Sequence, residues 1–106
     1  MVATHQRVHT LGAGRVLFQQ GDPGGDLYFI LEGEVELTVR SSEGQSAIVA
    51  ILGENTVLGT MSFLAGDPRA ATATAKADIK YIRIASQSRK RMLASIPKWV
   101  QVIIKD

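Results

Sequence analysis

Arg69 follows the turn sequence Gly66-Asp67-Pro68 and closes a stretch, Val57 to Ala73, that breaks the strand-like alternation around it. Gly59 opens that stretch, and an apolar turn's worth of chain, Thr60-Met61-Ser62-Phe63-Leu64-Ala65, lies between the glycine and Gly66. The capture of an anion needs these parts. Backbone N–H groups at the start of a short helix have no partner within it, point outward and carry partial positive charge. A guanidinium fork can then hold two oxygens of one phosphate at once. An isolated arginine after a turn is ordinarily a solvated surface group, so the surrounding pattern is what gives Arg69 its meaning.

The remaining chemistry is mostly excluded. The chain has no cysteine, which removes disulfide frameworks, thiolate metal sites and cysteine nucleophiles, and which fits a reducing cytoplasm. His5 and His9 have the spacing of helical metal ligands but no third partner, and no histidine follows position 9. That rules out a barrel metalloenzyme, which needs clustered histidines on adjacent strands. Ser62 has no histidine to activate it, and the acidic residues are scattered along strand exteriors without a pair suited to acid–base work. Arg89-Lys90-Arg91 would spread around a helix and read as a solvated face. A net charge of +2 gives no case for nucleic acid. No apolar run reaches the roughly 18 residues of a membrane span, and MVATHQRVHT has no apolar signal core. These features lead us to expect a cytoplasmic protein with no catalytic residues, no metal and no membrane or nucleic-acid partner.

The elements that must position Arg69 read as short strands. With 106 residues there is room for one domain and one core. Ten glycines against three prolines mark tight turns between these segments. Strands are expected over Arg15–Gln20, Asp26–Leu31, Glu34–Arg40, Ser46–Leu52, Arg69–Lys76 and Ile79–Ala85. Glu34–Arg40 alternates strictly, so Val35, Leu37 and Val39 should face the core. Glu32-Gly33 reads as a hairpin and Ser41–Gln45 as a turn. Helical spacing appears only at the end, where Ser86 or Ser88 can cap a helix with Met92, Leu93 and Ile96 on one stripe. Pro97 can start another, in a segment too broadly apolar for a single stripe. With no helix between consecutive strands, a closed or sandwiched mainly β structure is expected.

Leu58-Gly59-Thr60-Met61 and Pro68-Arg69-Ala70-Ala71-Thr72 together resemble the phosphate-binding cassette of cyclic-nucleotide-binding domains. In that family Phe-Gly-Glu-Leu precedes Pro-Arg-Ala-Ala-Thr. Upstream, Leu17-Phe18 with Gly21-Asp22, and Tyr28-Phe29-Ile30-Leu31-Glu32-Gly33-Glu34-Val35, are similar to the family's first strand and hairpin. The resemblance runs from about Gly14 to Ile96. It implies an antiparallel β-roll or jelly-roll barrel with a short cassette helix and C-terminal helices. It further implies one domain over 1–106, with 1–9 a poorly ordered terminus and 97–106 the start of a lid or dimer helix.

The family's residues carry over as follows. Arg69 would pair with the cyclic phosphate, the backbone N–H groups of Ser62, Ala70 and Met61 would complete the cradle, and Gly59 would allow close approach to the ribose. Where the family has the glutamate that accepts the ribose 2′-hydroxyl, this chain has Thr60. Ala70 lacks the hydroxyl found at this place in cGMP-preferring relatives, which favours adenine. The implied function is regulatory binding of a cyclic mononucleotide, cAMP, transmitted through the C-terminal helices to a homodimer partner or linked effector. The departure at Thr60 leaves two alternatives: a degenerate pocket kept as an interaction module, or a sensor of another phosphorylated ligand.

Overall fold

The computed structural model describes residues 7–88 and Arg91. In chain order the elements are β1 (Val8–Leu11), β2 (Val16–Phe18), β3 (Leu27–Glu32), β4 (Val35–Arg40), β5 (Ser46–Leu52), β6 (Thr56–Leu58), α1 (Thr60–Ala65), β7 (Thr72–Ala75) and β8 (Ile79–Ile84). A 3₁₀ turn at Ser86–Ser88 follows. The strands form two four-stranded sheets, ordered β1-β8-β3-β6 and β2-β7-β4-β5, and every pairing is antiparallel. This is the expected β-roll.

The core lies between the sheets. Ile30, Leu58 and Ile79 come from the first sheet, and Val35, Ala73 and Ala75 from the second. Along β7 the buried Ala73 and Ala75 alternate with Thr72 and Thr74, the period-2 pattern of a strand with one face inward. Val35 is fully buried at the start of β4, with Leu37 and Val39 partly covered beyond it.

The strand expectations hold for β3, β4, β5 and β8, and Ser46–Leu52 has the bounds read from sequence. Two others are shorter than expected. Gln19 and Gln20 leave β2 because their amides bond to the Asp22 carboxylate and the Thr72 hydroxyl. Arg69–Ala71 precede β7, where Arg69 lies in loop-to-loop bonds described below.

Two expectations are corrected. Glu32-Gly33 is not a hairpin, because β3 and β4 lie in different sheets. Gly33 turns the corner with φ of 92°, and a Cβ there would sit 2.6 Å from the Asp78 carbonyl. The β7–β8 connection crosses between the sheets at the same place, so two corners stack. A positive-φ glycine signals a reversal of the chain but does not say whether the next strand stays in the sheet.

The second correction is the N-terminus. Val8 and His9 belong to β1, pair with Ile82 and Tyr81, and the His9 ring stacks on Tyr81 at 5.3 Å. A four-residue strand is too short for periodicity to reveal. For the same reason β6, three residues paired with β3, was hidden in the irregular segment before the cassette.

Helical expectations for Met92, Leu93, Ile96 and 97–106, and the placement of His5, Arg89 and Lys90, lie outside the described residues. No helix among the described residues is long and apolar enough to cross a membrane.

Candidate functional site

Gly59 begins the cassette by closing β6 into α1. Its φ of 86° is left-handed, and its carbonyl accepts the first helical bond, from Phe63 N–H. Gly66, at φ of 77°, ends the helix, its N–H donating to the Ser62 carbonyl. Glycine at both ends allows a six-residue helix to begin and stop abruptly. Phe63, 1% exposed, pins the helix to the core, and the Ser62 hydroxyl donates to the Asp67 carbonyl, tying helix to loop.

Beside this helix is a cavity of about 400 Å³. All six residues singled out from sequence line it: Gly59, Thr60, Met61, Ser62, Arg69 and Ala70. Phe18, Leu37 and Leu58 give it an apolar side, and Asp67 is the one carboxylate residue among the described residues that line it.

Arg69 is 6% exposed. Its backbone is fixed by the β2–β3 loop, donating to the Asp22 carbonyl at 2.9 Å and accepting from Gly21 N–H at 2.8 Å. Nη2 of its guanidinium donates to the Asp26 backbone carbonyl at 2.8 Å. The guanidinium lies 4.5 Å from the Phe18 ring centroid and 5.5 Å from that of Tyr28. Nη1 is buried and has no hydrogen-bond partner among the described residues.

A buried charge normally has a countercharge, because desolvating it alone costs several kcal/mol. Here the rings offset part of that cost through their negative faces. Arg69 forms no ion pair among the described residues. A buried cation with Nη1 unpaired among the described residues can accept an anion as a partner.

Gly59 serves Arg69 as well as the helix start. A Cβ at this position would land on Arg69 Nη1 and lie 3.0 Å from the Asp26 carbonyl. The glycine read from sequence as an approach to a ribose is thus also the space in which the guanidinium lies.

Residues the sequence reading did not assign complete the site. Phe18 and Tyr28 come from β2 and β3, strands of different sheets, and meet at 5.7 Å. Burial, then the neighbouring Asp26 carboxylate, raises the Tyr28 hydroxyl above its ordinary pKa of 10.0. Asp26 carries an ion pair with Arg83 at 2.5 Å, which raises the arginine's pKa through the hydrogen bond and the charge. No motif marks Asp26 as an Arg69 partner, since its acceptor is a backbone carbonyl.

A larger cleft of about 490 Å³ includes Gln20, Arg40, Ser41 and Thr72, on the opposite side of β7 from Ala73. Its polar groups are largely engaged with one another. The Gln20 amide bonds to both the N–H and the carbonyl of Arg40, and the Ser41 hydroxyl accepts from Glu43 and Gln45 N–H groups. Among the described residues it contains no buried charge, so the smaller cavity is the candidate site.

Fold and cavity define the class: a β-roll with a short helix and a buried arginine beside a mixed apolar and polar cavity. The family called cyclic nucleotide-binding domain matches residues 8–95, and the chain belongs to it. A CRP-like cAMP-activated global transcriptional regulator of Mycobacterium tuberculosis is 24% identical over 92 residues, covering 87% of this chain and 41% of that protein. The chain therefore spans about two fifths of that relative. Among solved structures, the cAMP-bound regulatory domain of Toxoplasma gondii PKA aligns with a TM-score of 0.83 at 24% identity, over 98% of this chain and 39% of that one. The N-terminal domain of a transcriptional regulator from Streptomyces coelicolor has a TM-score of 0.76 and 32% identity, over 88% and 66%.

Proposed function

We propose that this chain is a regulatory module that binds a cyclic mononucleotide, cAMP, in the cavity beside α1, and that it performs no catalysis. Arg69 carries the reading: a guanidinium 6% exposed, with Nη1 unpaired among the described residues. A monoanionic cyclic phosphate would supply the missing acceptor and countercharge. The apolar side formed by Phe18, Leu37 and Leu58 suits a base or sugar face. The names of the Mycobacterium tuberculosis and Toxoplasma gondii relatives support cAMP as the ligand. Binding would be passed to the C-terminal segment and through it to a partner or linked effector.

Calorimetric titration with cAMP, cGMP and a cyclic dinucleotide tests the reading. The expected result is saturable binding of cAMP, tighter than cGMP, and its loss in Arg69→Ala. An Arg69→Ala protein that binds as well as the parent overturns it.

Thr60 favours a second reading. This residue lines the cavity in place of a carboxylate, so no charged acceptor stands there for a ribose hydroxyl. A phosphorylated ligand other than a cyclic nucleotide then becomes the occupant, and tight binding of such a compound with none of cAMP would establish it.

A further inference from the structure

Two of the residues lining the cavity beside α1 carry charge, Asp67 and Arg69, and the other described residues of its lining are neutral. The described wall is therefore neutral as a whole, one anion against one cation. Yet the two charges form no ion pair with each other among the described residues. The one hydrogen bond that Asp67 accepts there, from the Ser62 hydroxyl at 2.5 Å, goes to its backbone carbonyl and leaves the carboxylate unengaged.

The backbone on both sides holds these charges apart. Pro68 stands between them, and its ring keeps Asp67 out of the helical region. Gly66, at φ of 77°, ends α1 immediately before Asp67. Arg69 is tied by its N–H to the Asp22 carbonyl and by Nη2 to the Asp26 carbonyl. Gly24 packs so closely on the Asp67 carbonyl that a Cβ there would collide with it. Asp67 is exposed, whereas Arg69 is buried. A ligand anchored at Arg69 thus shares the cavity with a carboxylate that is unpaired among the described residues.

We propose that Asp67 is a specificity-determining residue that sets the cavity against ligands of higher negative charge, favouring a monoanionic phosphodiester over a dianionic phosphomonoester. Coulomb energy is proportional to the ligand's charge. Arg69 alone would therefore attract a dianion more strongly than a monoanion. Asp67 repels each in the same proportion and offsets that bias. Hydrolytic opening of a cyclic phosphodiester creates such a monoester, whose second ionisation falls at a pH of about 6. The cyclic nucleotide and its ring-opened product share base and sugar, so charge is a difference on which a site can discriminate. The choice of ligands rests on the cyclic-nucleotide reading; the repulsion of a second negative charge does not.

Calorimetric titration of the full chain with cAMP and with AMP at a pH of about 8, where AMP is a dianion, compares the parent with Asp67→Asn and Asp67→Glu. Asp67→Asn removes the charge with little change in shape. It should tighten cAMP by about three-fold and AMP by about ten-fold, the scale of an exposed charge acting through a high dielectric. The gain for AMP should approach the square of the gain for cAMP, because its charge is double. Asp67→Glu keeps the charge and should leave the AMP-to-cAMP affinity ratio at the parent's value. Raising the salt from about 50 mM to about 500 mM should shrink both gains, as screening shortens the reach of the charge. An affinity ratio that is the same in the parent and Asp67→Asn overturns the proposal, as does a ratio that Asp67→Glu shifts as far as Asp67→Asn. AMP binding that tightens in Asp67→Asn while neither protein binds cAMP defeats only the cyclic-nucleotide reading. Binding of cAMP by both proteins, with no AMP binding by either, defeats only the role of Asp67. Binding of neither nucleotide by either protein defeats both.

Discussion

Ile79 and Arg69 are buried almost equally, at 1% and 6% exposure, but for opposite physical reasons. Ile79 packs with Ile30, Val35, Leu58, Ala73 and Ala75 between the two sheets, where removal from water itself stabilises the fold. Arg69 is removed from water at a cost, which two aromatic rings and a carbonyl offset only in part. The first region should be intolerant of truncation and indifferent to ligands. The second should be tolerant of a neutral replacement and dependent on its charge for function.

The largest effect expected from this contrast is at the core. Ile79→Ala should lower the unfolding free energy by about 2–5 kcal/mol, measured by denaturant unfolding, because a fully buried branched side chain leaves a cavity between the sheets. A loss below about 1 kcal/mol would mean the core relaxes around the gap and the contrast with Arg69 is weaker than claimed.

Gly59→Ala should come next, because it disturbs both regions at once. Its Cβ would land on Arg69 Nη1, and a left-handed φ of 86° is strained for alanine. A stability loss of about 1–3 kcal/mol is expected, with a displaced guanidinium and weaker cAMP binding. Unaltered affinity in this variant would show that the position of Arg69 is not set by the space at Gly59.

Much of this was legible in the sequence, and the gaps have physical causes. The strict alternation of Glu34–Arg40 revealed β4, and Gly59 and Gly66 bracketed the helix that both of them cap. Arg69, which lines the cavity, could be singled out because its chemistry resides in its side chain and its motif is local. Asp26 was not, because its contact with Arg69 is a carbonyl that any residue type could present. Phe18 and Tyr28 read only as strand residues, since their meeting over Arg69 depends on two strands from different sheets. Short β1 and β6 contain too few residues for a period to show.

Thr60→Glu sharpens the comparison from the pocket's side. A carboxylate at this position in the cavity lining should tighten cAMP by about ten-fold, the worth of one charged hydrogen bond. A 2′-deoxyribose analogue titrated in parallel should gain nothing. Weaker cAMP binding would instead favour a ligand without that hydroxyl.

The smallest effect concerns Tyr28. Its folded pKa is raised, first by burial and then by Asp26, above the ordinary 10.0. As pH climbs past about 10, the unfolded chain loses the phenolic proton before the folded one does, so the stabilising difference present at lower pH is lost. Stability measured from pH 9 to 11 should fall in the parent and fall less in Tyr28→Phe. Parallel curves for the two proteins would show that Tyr28 is not desolvated in solution.

Denaturant unfolding of the parent and Arg69→Met, each with and without saturating cAMP, tests the central claim most directly. Methionine removes the charge while retaining an unbranched, flexible side chain that can fill much of the space. Without ligand, Arg69→Met should be as stable as the parent or more so, because no buried cation remains to be desolvated. With ligand, only the parent should gain stability, by about 2.7 kcal/mol when cAMP is at a hundred times its dissociation constant. An Arg69→Met protein that is markedly less stable without ligand, yet gains as much from cAMP as the parent, would make Arg69 a structural residue and contradict its assignment as the ligand's anchor.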